Sequence, residues 1–152
     1  MAKNYIRLDK VNASAYLDSV ISKTESLLAG QFVTLGALVD GEPELTTYTK
    51  TVAGKESSVF LAPVIIDQGY PDFDPADQSV KAGKAARAIH IEKGMIISIN
   101  VENAVGVNVG DNVAVGTNGL GFKKAVTDDF VIGKAIAIDT LDNIGDLLVV
   151  RF

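Results

Sequence analysis

His90, set between Ile89 and Ile91, is the only imidazole in the chain and so the only general base of that type available. A serine hydrolase built on it needs a nucleophile held on a sharp turn, and no Gly-x-Ser-x-Gly elbow occurs in the sequence. Flanked by isoleucines, His90 reads instead as a surface or interface residue on the polar face of a strand. Asp128-Asp129 are adjacent carboxylates at a turn, and a glycosidase would need a second acid across a cleft, which the sequence does not identify. Asp72-x-Asp74-x-x-Asp77 imitates a calcium loop, but the central glycine and the bidentate glutamate at the twelfth position are missing. It reads as a solvated acidic loop.

Phosphate chemistry fares no better. Gly116-x-x-Gly119-x-Gly121 is the dinucleotide fingerprint in reverse, and the following Phe122-Lys123-Lys124-Ala125-Val126 does not open a capped helix. A phosphate there would lack a helix N-terminus to sit on, so the run reads as a tight turn. The lysines of Gly54-Lys55, Gly83-Lys84 and Gly133-Lys134 are followed by Glu56, Ala85 and Ala135, where a P-loop needs a magnesium-holding hydroxyl. The absence of cysteine excludes disulfides, thiolate metal sites and a cysteine nucleophile. No catalytic residue, cofactor or metal is expected.

Composition narrows the class further. A chain of 152 residues suffices for one domain with a real core. Its net charge of −5 argues against holding nucleic acid. No apolar run approaches the ~18 residues that span a bilayer, and the first residues lack the apolar stretch of a signal peptide. The expectation is a protein made and kept in a cytosol. A mean hydropathy of +0.24 leaves apolar surface of the kind that ends up between subunits.

The elements that position these residues follow a period of two. Ile97, Ile99 and Val101 alternate with Ser98, Asn100 and Glu102, and Val105, Val107 and Val109 alternate with Gly106, Asn108 and Gly110. Turn residues fall at Asp40-Gly41-Glu42-Pro43, Glu92-Lys93-Gly94, Gly110-Asp111-Asn112, Thr117-Asn118-Gly119 and Asp142-Asn143. Asn118-Gly119 is the sharpest hairpin signal among them. Strands are predicted near 31–39, 45–51, 58–62, 87–92, 95–101, 112–116, 131–138 and 146–151. The fold class is therefore all-β and mainly antiparallel: a compact β-barrel or sandwich-like domain over 30–152, with one long loop at 67–87.

Residues 1–29 read as an extended N-terminal arm or a short helix. Tyr16, Leu17, Val20 and Ile21 have helical spacing behind an Asn12 cap, yet Val20-Ile21-Ser22 suits a strand equally well. The long loop carries two prolines and four aspartates, and Tyr70 and Phe73 suit a contact surface better than a solvated tail. Lys81, Lys84 and Arg87 form a basic cluster whose intervening alanines and glycine allow close approach to an acidic neighbour. Lys3, Arg7 and Lys10 make the N-terminus locally basic as well.

Three passages carry a resemblance: Met1-Ala2-Lys3-Asn4-Tyr5-Ile6; Leu28-Ala29-Gly30-Gln31-Phe32-Val33-Thr34-Leu35-Gly36; and Phe60-Leu61-Ala62-Pro63-Val64, with the acidic loop and Lys81-Ala82-Gly83-Lys84-Ala85-Ala86-Arg87-Ala88 that follow. In them the chain resembles the small head proteins of tailed bacteriophages, especially of Gram-positive hosts, that decorate and stabilise the capsid. The turn at Gly94-Met95 departs from the Gly-Asp of several related sequences. The resemblance implies a non-enzymatic capsid decoration (cement) protein, a homotrimer on the virion exterior made in the host cytoplasm. Its partner would be the major capsid protein, with no role for nucleic acid or membrane. On that view Tyr5, Ile6, Tyr70 and Phe73 are apolar anchors, and Arg7, Lys81 and Arg87 charged contacts to capsid or neighbouring subunit. The alternative from the residues alone is a small cytosolic β-barrel that binds a sugar or metabolite, for which 7% aromatic residues without tryptophan is a thin supply.

Overall fold

The computed structural model describes residues 5–11, 17–62 and 79–152. In chain order its strands are β1 (Ile6–Lys10), β2 (Leu17–Ile21), β3 (Leu27–Leu28), β4 (Phe32–Val39), β5 (Glu42–Lys50), β6 (Val59–Leu61) and β7 (Ser79–Val80). They continue with β8 (Ala85–His90), β9 (Ile96–Asn100), β10 (Asn112–Val115), β11 (Phe122–Lys124), β12 (Gly133–Leu141) and β13 (Gly145–Arg151). The fold is all-β and mostly antiparallel. The choice between barrel and sheet resolves as both: β2-β5-β4-β6-β8 close into a barrel, and β1-β9-β13-β12-β10-β11 form an open six-stranded sheet. A short β3–β7 ribbon accompanies them. Among the described residues one pairing is parallel, β2 with β5, in the register Ser19↔Leu45 to Ile21↔Thr47.

Alternation along the barrel strands explains how two cores are served at once. Val33 of β4 and Val59 and Leu61 of β6 turn inward to meet Val20, Leu27, Tyr48, Val80 and Ala88. The residues between them, Phe32 and Phe60, turn outward from the barrel and join Ile97, Ile99, Val113, Val115, Leu148 and Val150 of the sheet. Strands buried on both faces have no polar side to show, which is why Val59-Phe60-Leu61 is an unbroken apolar run. Phe32, Phe122 and Phe152 meet at centroid distances of 5.4 and 6.3 Å in edge-on geometry around Phe32, and Phe60 lies 6.1 Å from Phe32. Barrel and sheet thus share one aromatic seam.

Several sequence-based expectations change. The extended arm or helix at 1–29 is not what its described residues form. β1 pairs with β9 in the register Ile6↔Ile99, Arg7↔Ser98, Leu8↔Ile97, and β2 is a barrel strand between β5 and β8. Described strands from both sides of position 29 pair in the same sheets. The long loop ends earlier than 87, because Ser79–Val80 pairs with Leu27–Leu28 and β8 starts at Ala85. Residues 67–78 of that loop, and the Asn12 cap, lie outside the described residues. The alternation at Val105, Val107 and Val109 builds no strand: Gly106 and Gly110 take φ of 79° and 95°, and the chain turns there.

Candidate interaction surfaces

The Gly116–Gly121 run is a joint of the fold. It closes the β10–β11 hairpin, with Gly116 N–H donating to the Gly121 carbonyl at 3.0 Å. Asn118 and Gly119 hold φ of 56° and 76°, as the hairpin signal predicted. A Cβ on Gly119 would overlap the carbonyl oxygen of Phe32 in the barrel, and one on Gly121 the carbonyl oxygen of Asn103 beside the sheet. Buried Gln31 completes the joint, donating from Nε2 to the Asn118 carbonyl at 2.7 Å and accepting the Leu28 N–H at Oε1. The glycines let two backbones approach, which accounts for the motif without a nucleotide.

Arg7 lies on the sheet face opposite the core. Its Nε meets Asp9 Oδ1 at 2.5 Å, its Nη1 meets Asp139 Oδ2 at 2.8 Å, and its Nη2 reaches Ser98 Oγ at 3.3 Å. Ser98 Oγ in turn donates to Asp9 Oδ2. The hydrogen bond to Asp139 holds the Arg7 guanidinium above its ordinary pKa, against the opposing effect of burial. Ile6, expected as an anchor, is a core residue at 2% exposure and packs on Gly30. Tyr5 is half-buried, its N–H donating to Asn100 Oδ1 at 2.6 Å. Lys81 and Arg87 are exposed, in the β7–β8 turn and on β8 of the barrel. The structure thus places Tyr5, Ile6 and Arg7 on the sheet and Lys81 and Arg87 on the barrel. Tyr70 and Phe73 lie outside the described residues.

His90 ends β8 with Nε2 2.6 Å from Asp18 Oδ2 of β2, so this pair links two strands that close the barrel. Asp129 is held by Lys123 at 2.9 Å and accepts the Val126 N–H at 2.9 Å, which together depress its pKa. Asp111 repeats the device, its pKa depressed by the Asn108 N–H first and by Lys124 at 3.2 Å. Both carboxylates fasten turns. Among the described residues no group of His and acids is arranged to hold a metal ion. Three open hollows of about 250, 370 and 270 Å³ are lined by residues around Glu102 and Leu120, around Lys10 and Met95, and around Thr34 and Ser57.

Two surfaces escaped the sequence reading. Turns 52–55 and 126–129 are tied together by the Phe130 N–H donating to the Gly54 carbonyl at 2.9 Å. Val52 and Val126 on them are 67% and 64% exposed, and Phe130 and Val131 beside them are nearly half exposed. Apolar side chains inside polar turns were the available signal. The second is acidic: Asp40, Glu42 and Glu44 stand exposed at the β4–β5 hairpin tip, with no Lys or Arg between positions 24 and 49.

No model of a known protein family matches the chain, and no curated protein sequence matches it. A solved structure does share its fold: the crystal structure of the head fiber gp8.5 N base in bacteriophage phi29. The similarity has a TM-score of 0.55 at 14% sequence identity and covers 91% of this chain and 93% of that one.

Proposed function

We propose that this chain is a non-enzymatic structural protein of a bacteriophage head. It binds the outer surface of the capsid, with the major capsid protein as its partner, and stabilises the mature head by bridging capsomers. It acts as a homotrimer on the virion exterior after synthesis in the host cytoplasm. The observation that carries this reading is the fold shared, along nearly the whole of both chains, with the base of a phage head fiber. The earlier resemblance to capsid decoration proteins points the same way from different residues.

Physical features support the same role. Barrel and sheet are joined through a common core, which suits a rigid body that must bear load. Its apolar turn surface at Val52, Val126, Phe130 and Val131 leaves large hydrophobic side chains exposed together, the kind of surface that marks interaction sites. Many modest contacts multiplied over an oligomer suffice for attachment, and binding the assembled shell alone stabilises it by mass action. Of the contacts expected from sequence, Lys81 and Arg87 remain candidates, while buried Ile6 does not.

The test is co-sedimentation of the purified chain with undecorated heads of its own phage. Saturable pelleting with the heads, and heads that resist heat better when loaded, is the expected result. A chain that stays in the supernatant at micromolar concentration refutes the reading. The metabolite-binding alternative gains no specific observation: Phe32, Phe60, Phe122 and Phe152 stack on one another in the shared core.

A further inference from the structure

Two turns from distant parts of the sequence lie side by side and are built alike. Val52-Ala53-Gly54-Lys55 closes with the Lys55 N–H donating to the Val52 carbonyl at 3.1 Å, and Val126-Thr127-Asp128-Asp129 with the Asp129 N–H donating to the Val126 carbonyl at 3.0 Å. Each opens on an exposed valine. The first is fixed to the end of β10 by the Gly54 N–H donating to the Val115 carbonyl at 2.9 Å, and to the second by the bond from the Phe130 N–H. Asp129 fills the space beside Gly54, where a Cβ would strike its carboxylate. Val52, Val126, Phe130 and Val131 thus share one braced apolar surface.

The two turns carry opposite charges. Lys55 stands exposed on the first and Asp128 on the second. Among the described residues neither forms an ion pair, whereas Asp129 is taken by Lys123 at 2.9 Å. Lys55 reaches Asp129 only as a nearby charge. Glu56, next in sequence, lines the hollow with Thr34, Leu35 and Ser58. Apolar side chains with one cation and one anion on adjoining turns make a surface complementary to itself under rotation. A partner of a single charge would leave one of the two turns unmatched.

We infer that copies of the chain meet on this surface about a rotation axis, turn 52–55 of one copy against turn 126–129 of the next. The apolar side chains gather near the axis and give most of the affinity, while Lys55 faces Asp128 of the partner subunit and sets orientation. Because both turns lie at the axis, assembly closes into a small ring, of three copies under the proposed function, and does not grow into a filament. The inference rests on the homo-oligomer part of that function, whose surface it names, and not on attachment to a head.

Sedimentation equilibrium of the full chain tests it, with circular dichroism confirming that each variant is folded. Wild type should sediment as one closed species. Val52→Ser with Val126→Ser should weaken association about tenfold or more. Both side chains are exposed within one copy, so the fold keeps its core. Leu38→Ser, also exposed but at the opposite end of the β4–β5 hairpin, should leave association unchanged. Lys55→Glu and Asp128→Lys should each weaken it about fivefold at low salt, and the two together should recover to within about twofold of wild type. A monomeric wild type, a serine pair that assembles like wild type, a Leu38→Ser that dissociates as readily as the serine pair, or a charge swap that fails to recover overturns the contact. So does a serine pair that stays assembled but no longer pellets with heads, which gives the surface to the major capsid protein instead. A monomeric wild type that still pellets with heads sinks this contact alone. Oligomers that need Val52 and Val126 but ignore heads sustain it and sink the attachment.

Discussion

Arg7 of β1 is bonded to Asp139 of β12 at 2.8 Å although β9 and β13 lie between their strands. The arginine therefore lies along the sheet face and ties an edge strand to the fourth strand in, over buried Ser98. An arginine read from sequence as a contact to a partner is occupied within its own sheet.

Replacing Arg7 with methionine should keep the apolar stem and lose the tie. Because the Arg7 and Asp139 side chains are 28% and 48% exposed, solvent screening limits the loss to about 1 kcal/mol. The more telling readout is local: amide exchange in β1 should accelerate while β13 amides keep their protection.

Gly119→Ala and Gly121→Ala should each destabilise by about 3 kcal/mol or more, since each methyl would strike a carbonyl oxygen of another segment. Gly41→Ala, also at positive φ but facing open space, should cost about 1 kcal/mol. Urea midpoints measured side by side separate close approach from backbone strain.

Phe32→Ala should cost about 3–5 kcal/mol. The seam it occupies belongs to barrel and sheet together, so unfolding should remain a single transition by both far-UV circular dichroism and tyrosine fluorescence. Separate transitions would show two independent cores.

Acid should weaken the protein in a defined way. Asp129 and Asp111 have folded pKa values below the ordinary 3.8, through Lys123 and the Asn108 N–H respectively. The folded state thus binds protons less readily than the unfolded state. Their contribution is complete above the unfolded value and disappears as pH falls through the folded one. Urea unfolding from pH 6 to pH 2 should show that decline, and Asp129→Asn should be less stable at pH 6 and flatter below pH 4.

How much of this was legible depends on which face of each strand is buried. Strands β9 and β10 are legible within a few residues because Ile97/Ile99 and Val113/Val115 keep a period of two, and β13 shows as the unbroken apolar run Leu147–Val150, buried on both faces. β1 carries the same signal, with Ile6 and Leu8 against Arg7 and Asp9, but its charges read equally well as a gripping arm. The Val105–Val109 run had the alternation without the strand, because glycines at positive φ turn the chain at Gly106 and Gly110. Candidate surfaces were harder to read. Val52 and Val126 are distant in sequence, and their turns meet only through the Phe130 N–H bond to the Gly54 carbonyl. The acidic tip at Asp40, Glu42 and Glu44 reads as an ordinary polar turn, because its place on the barrel is set by the β4–β5 and β2–β5 pairings.

The most direct measurement is cryo-electron microscopy of purified virions from the phage that encodes the chain, with and without its gene. The account predicts symmetric density on the capsid exterior that fits the barrel-and-sheet body and vanishes with the gene. Virions that contain none of the chain, or identical capsid surfaces in both preparations, would contradict it.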